Sequence, residues 1–218
     1  DPISHDEFFS FYSFFNNVDE DGLIGYGDTA PKPNLTINAK DIKNDLPFVN
    51  LPDSINDVTL MVMKETENLR NTYVLNRGSY DAPTRLVKPS TPEVVLKFDE
   101  EKYSSDRIGL SKWFFDKDNP LTSRVTVNRL WQQFFGIGIV ATPDDFGSQG
   151  NKPFNPELLD WLAYTFQNKD NWDTKKFIKR IVMSSTYRQS SKVKKENRLM
   201  DSDNTYPVSY THLRAHET

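Results

Sequence analysis

Residues 119–136 read Asn119-Pro-Leu-Thr-Ser-Arg-Val-Thr-Val-Asn-Arg-Leu-Trp-Gln-Gln-Phe-Phe-Gly136, and they spell a helix from its first signal to its last. Asn119 offers an N-cap oxygen to the unpaired first N–H groups, and Pro120 stands at N1, where a missing N–H costs nothing. Gly136 follows as a C′ residue that tolerates left-handed backbone. Between them Val127, Leu130, Trp131, Phe134 and Phe135 form an apolar stripe, while Arg124, Asn128 and Gln132 recur every four residues on another face. The spacing predicts a helix over 121–135 with one side in a core.

Working outward, the same grammar recurs. Residues 106–115 read as a preceding helix. Asn155-Pro156-Glu157 opens a third with Leu158, Leu159, Trp161, Leu162 and Phe166, and Asp173 caps a fourth with Phe177, Ile178, Ile181 and Val182. The connections are short to medium, which suits a compact bundle-like unit. Toward the other end, Ser4-His5-Asp6-Glu7 is a capping box for a helix over 5–16 that carries six aromatics in eight positions and so requires a partner surface. Residues 18–57, rich in Asp, Asn, Gly and Pro, read as a long surface connection. Val58 to Met63 and Arg70 to Leu75 are β-compatible runs that predict a hairpin or two short strands, and Pro83, Pro89 and Pro92 keep the next stretch extended. The expected fold class is mainly α with a small β-hairpin element, a compact helical unit in the C-terminal half and long loops in the N-terminal half.

Composition agrees and removes several functions. The hydrophobic fraction is 36%, below the roughly 45–50% of an ordinary domain, so long polar connections are expected. Aromatics at 13% argue for a packed core over disorder. With no Cys these residues hold no disulfide, thiolate metal site, thiol nucleophile or covalent haem attachment. No apolar run approaches the roughly 18 residues of a membrane span, and no cleavable leader is visible. A net charge of −4 disfavours a nucleic-acid partner, which wants a basic stripe. The acidity is local, since residues 1–50 carry nine Asp/Glu against three Lys.

Two constellations could carry chemistry. Arg124, Asn128 and Arg129 on the central helix could present guanidinium forks to a carboxylate, sulfate or phosphate. The alternative is a solvated or salt-bridged face, which is the commoner fate of helical charges. Asp144-Asp145 after Pro143 could supply paired carboxylates for acid/base work or a metal; the alternative is an Asx turn, a cap or a pair with a nearby Arg. The run Gly136-Ile-Gly-Ile-Val-Ala141 looks like a dinucleotide fingerprint but follows a helix where that motif needs a strand. Ser184, Ser185 and Tyr187 find no general base in the sequence and are read as closing the fourth helix, with Tyr187 packed inward. Asn34-Leu35-Thr36 is a glycosylation sequon of a kind common by chance.

Both ends invite comment. The chain opens Asp1-Pro2-Ile3 with no initiator Met and is read as processed or cut from something longer. Val208 to Thr218 resembles one reading frame of a transposon-end adaptor used in sequencing libraries, and Pro207 fits the preceding codon. Residues 207–218 are therefore set aside as a sequencing-library adaptor artefact, and the chain is read as a fragment of metagenomic origin. With them go His212 and His216, whose i, i+4 spacing would otherwise suggest a metal pair; His5 alone remains.

The run from Asp118 to Gly136, then Thr142-Pro-Asp-Asp-Phe-Gly147, Pro156 to Leu162 and Ser185 to Ser191, resembles the PSD domain of large planctomycete cytochrome-c-type proteins, a domain family of unknown function. Met63-Lys-Glu65 and Tyr73 to Gly78 resemble that domain's opening segment. Asp1-Pro-Ile-Ser and Phe14 to Gly22 resemble the end of the uncharacterised domain that precedes it. The resemblance implies residues 1–17 as the end of a preceding domain, 18–57 as a linker or long loop and 58–206 as the PSD-like domain. It also implies a Cys-x-x-Cys-His-type haem segment just upstream of Asp1, hence haem c in the full-length parent and no cofactor in this piece. The location it implies is periplasmic or cell surface, and the partners are other domains of the parent chain, a redox partner or a polysaccharide. The family brings no catalytic residues. The preferred expectation is an interaction or assembly domain beside a redox module. The alternative is a hydrolase of an anionic polysaccharide, with Asp144 and Asp145 as acid/base and Arg124 and Arg129 as anion binders.

Overall fold

The computed structural model describes residues 2–19, 31–52 and 54–189. The chain divides into two compact units. The first gathers residues 1–4, 91–104 and the chain from Ile108 onward; the second holds residues 5–90 and 105–107.

The helical unit is built as the central sequence dictates. Helix α3 (Arg107–Phe114) contributes its length from Ile108, and is followed by α4 (Pro120–Phe135), α5 (Pro156–Tyr164) and α6 (Thr174–Val182). The caps are those read from sequence. The Asn119 side chain accepts from the N–H groups of Leu121 and Thr122, that of Asn155 from Leu158, and that of Asp173 from Lys176, while Gly136 ends α4 at φ 80°. Helices α4 and α5 pack together. Val127 and Trp131 of α4, Leu159, Leu162 and Ala163 of α5, and Phe177 and Ile181 of α6 close one core with Ile139, Val140 and Phe166. Tyr187 is part-buried against it, edge-on to Phe134 and Phe135, and the backbone N–H of Tyr187 donates to Ser184 Oγ. Helix α5 runs into a π-helical turn, Thr165–Lys169. Asn171 and Trp172 then take left-handed backbone (φ 49° and 62°) to reverse the chain into α6, with the Trp172 ring set against Phe115 and Phe166.

The second unit holds α1 (His5–Tyr12), β1 (Asn34–Asn38), α2 (Ala39–Asp45), β2 (Asp57–Met61), β3 (Thr72–Leu75) and β4 (Pro83–Val87). Helix α1 stops at Tyr12, short of the expected residue 16; turns carry the chain on, and Phe14 is buried. Its aromatics find part of the partner surface they require in β3 and β4.

The fold class is mainly α with small antiparallel elements, as expected, and of the two readings of the β-compatible runs it is two short strands, each with a partner elsewhere, that form. The run at 58–63 pairs antiparallel with β1, with Leu35 opposite Leu60 and Ile37 opposite Val58; the run at 70–75 pairs with β4, with Tyr73 opposite Leu86. Two small sheets therefore form, and the connection read over 18–57 contains β1 and α2. The reason is local. Lys64 to Leu69 is not a two-residue turn, and Val18 and Asn17 draw it aside. Val18 bridges to Glu65, Thr66 N–H donates to the Asn17 carbonyl, and Arg70 N–H donates to the Asn17 side chain. The glycines of residues 20–30 and the segment 190–218, with His212 and His216, lie outside the described residues.

Candidate functional site

The loop that follows α4 returns to it through one buried amide. Asn128 is 0% exposed; its Nδ2 donates to the Val140 carbonyl (3.0 Å) and its Oδ1 accepts from the Val140 N–H (2.8 Å). It thus pairs with the loop backbone as a neighbouring strand would, satisfying two groups that burial would otherwise leave at a cost. The expected polar face of Arg124, Asn128 and Gln132 is corrected here, because Asn128 points into the protein with both amide atoms engaged. Gly138 allows the approach. A Cβ there would lie 2.7 Å from Asn128 Nδ2 and 2.6 Å from the Val140 carbonyl oxygen.

Beyond Val140 the loop folds upon itself. Thr142 Oγ1 donates to the Asp145 carbonyl and accepts from the Asn151 N–H, while the Asp145 N–H donates to the Thr142 carbonyl. Asp145 Oδ1 accepts from the Gly147 N–H at 2.8 Å, an Asx turn. This turn forms one wall of an open pocket of about 510 Å³, with apolar sides from Val94, Val95, Pro120, Leu121 and Phe146, a lip from Pro2 and Ile3, and polar groups from Arg124, Asp144 and Asp145.

Three of the five residues singled out by sequence therefore line one concavity, and Asn128 and Arg129 do not. Each of the charged four is held by a local bond. Arg124 Nε donates to Asp160 Oδ1 (2.7 Å) and its Nη1 to the Pro120 carbonyl (3.3 Å). Arg129 Nη2 donates to Asp144 Oδ1 (3.0 Å) across an exposed pair, and Asp145 holds its own turn. Exposed pairs of this kind contribute about 0–1 kcal/mol. The geometry can admit an apolar group flanked by charge of both signs.

Sequence reasoning missed Asp160, the partner of Arg124, and the Val94-Val95 wall, which bear no motif. It also missed the two most enclosed carboxylates. Burial pushes the Asp116 carboxyl up, but bonds from Lys102, the Tyr103 hydroxyl and the Asp118 N–H outweigh it and hold it down at about 2. Burial likewise raises Asp170, whose side chain is inaccessible, and Lys176 and Arg180 more than offset it, so the group ends below its ordinary value. Both serve the fold. Among the described residues no group of three or more His, Asp or Glu side chains could hold a metal ion, and without a thiol the chain has no seat for thioether-linked haem.

The model of one family, PSD1, described as a protein of unknown function (DUF1553), matches residues 106–217. The chain belongs to the PSD1 family. The PSD1 match takes in α4, the Asn128–Val140 clamp, the Asp144-Asp145 turn, α5 and α6, and it runs through the stretch 207–217. Neither the comparison with curated proteins nor that with solved structures gives a match.

Proposed function

We propose that this PSD1 chain is a non-catalytic interaction or assembly module of an exported, periplasmic or cell-surface protein, standing beside a haem-bearing redox part of the same parent. What supports the non-catalytic reading is the engagement of Arg124, Arg129, Asp144 and Asp145 in an ion pair or turn of their own. Side chains tied in this way are poor proton shuttles, because a general acid or base has to be free to reach the substrate. The redox context and the location rest on the resemblance to planctomycete cytochrome-c-type proteins. The partner is the parent's own redox part, with the pocket of about 510 Å³ offering a seat for one apolar side chain among charges.

One observation favours the hydrolase alternative, namely that Arg124, Asp144 and Asp145 share that pocket. Two measurements separate the readings. Long-read recovery of the coding sequence through both ends should find a Cys-x-x-Cys-His segment upstream, and haem staining should mark the full-length product; a gene with no such segment removes the redox context. Polygalacturonate and heparin incubated with the chain should release no new reducing ends. Release by the wild type that disappears in the Asp144→Ala/Asp145→Ala variant would establish the hydrolase instead. The same variant should lose about 1 kcal/mol of stability with its Asx turn.

A further inference from the structure

Helix α6 is strongly two-faced. Phe177 and Ile181 are buried and Ile178 and Val182 partly so. The helical period then places Lys175, Lys176, Lys179 and Arg180 together on the outer arc. Two ridges make up that arc. Lys176 and Arg180 are held by buried Asp170, at 3.1 Å and 2.7 Å, while Lys175 and Lys179 are exposed and have no ion pair among the described residues. In a chain of net charge −4, residues 174–198 carry nine Lys/Arg against the single Glu196.

Aromatic rings stand at the edge of this arc. The Arg180 guanidinium lies 5.8 Å from the Trp161 ring centroid, which brings α5 alongside. Trp161 is 49% and Tyr164 58% exposed, and their i, i+3 spacing puts both on one side of α5. Rings this exposed leave apolar faces open to a ligand. Of the acidic groups near them, Asp160 pairs with Arg124 and Asp173 caps α6, and Glu157 is exposed at the first turn of α5.

We infer that Trp161, Tyr164 and the outer face of α6 form a binding platform for an anionic glycan, carboxylated or sulfated. A sugar ring offers C–H faces to the aromatic side chains and acid groups to the lysines, so the two components of the patch are used together. A bilayer would call for a free apolar helix face, and that of α6 is spent in the core. A nucleic acid would call for a long basic stripe, and this arc is two ridges of one nine-residue helix. The inference adds a second partner, at a surface other than the pocket, to the interaction reading and rests on it. Haem staining tests the one and glycan binding the other, so their failures are distinguishable.

The test is equilibrium binding of the full chain at low salt to heparin and polygalacturonate, with dextran, polyphosphate, phosphatidylglycerol vesicles and duplex DNA as comparisons. Both acidic glycans should bind and dextran should not. Lys175→Ala/Lys179→Ala should weaken glycan binding by about tenfold, or about 1.4 kcal/mol. Trp161→Ala/Tyr164→Ala should weaken the glycans alone and leave polyphosphate unchanged. Lys179→Arg should retain binding, and an unchanged thermal midpoint in each variant shows that the loss is not unfolding. Absence of glycan binding overturns the inference. So does binding that is indifferent to the lysine pair, as it would be if the basic residues beyond 189 carried it, or indifferent to the rings. Tighter binding to vesicles or DNA than to heparin assigns the patch to those partners and overturns it as well.

Discussion

Asn128 decides the geometry of the pocket wall without touching the pocket. Its amide closes both backbone groups of Val140 inside the protein, and each buried group left unpaired costs about 1–3 kcal/mol. Asn128→Ala should therefore destabilise by about 3 kcal/mol or more in urea denaturation. Gly138→Ala forces a carbon against the same amide and should cost about 1–3 kcal/mol. Because the two changes break one clamp, the double variant should cost clearly less than their sum; simple additivity would show that the clamp is not a unit. Spacing alone placed Asn128 with Arg124 and Gln132. Periodicity assigns a polar residue to a polar side, and nothing local announces that a backbone segment twelve residues on will return to pair with it.

At the scale of elements, the caps were legible because they act within one turn. Asn119 does more than the motif promises. Besides capping α4, its Nδ2 donates to the Trp113 carbonyl at the end of α3 (3.2 Å), and the side chain is 1% exposed. Asn119→Ala should cost about 2 kcal/mol, at the upper end for a cap, and Asn119→Asp should recover part of it by restoring the acceptor but not the donor. Thermal unfolding of the two variants checks the order; equal losses would mean that the restored cap acceptor contributes nothing, and an Asp variant as stable as the wild type would mean that the Trp113 bond contributes nothing. The strands were the less legible elements. Val58 to Met63 announced a strand, but partner choice depended on where Asn17 and Val18 pinned the intervening segment, which β propensity does not encode.

Across the whole molecule, two buried carboxylates tie helices to loops and make stability fall with acid. Asp116, in the connection from α3 to α4, holds Lys102 and Tyr103 and lends its carbonyl to Gln167. Asp170 holds α6 through Lys176 and Arg180. Both carboxyls titrate below their unfolded value, near 3.9. Their contribution is therefore complete above that value and is lost as pH falls through the folded value, which for Asp116 is about 2. For Asp116 it amounts to about 1–2 kcal/mol after allowing for screening at half-exposed Lys102. The thermal midpoint should hold steady from about pH 7 to 5 and drop steeply below about 4. Asp116→Asn should flatten that drop, and an unaltered profile in the variant would show that Asp116 does not supply it.

The sequence by itself determined the helices of the second half, their caps, the apolar stripe that becomes the core, and the expectation that two small clusters of charge deserved attention. All of these are properties of residues within a turn or two of each other, where 3.6-residue geometry and side-chain oxygen placement settle the outcome. Only the tertiary structure decided that Asn128 faces inward, that Asp160 and Asp144 claim the arginines, that Asp116 and Asp170 are buried, and which strands pair. Each depends on groups brought together from distant positions, where burial sets the cost of an unpaired polar atom and the nearest partner in space, rather than in sequence, meets it.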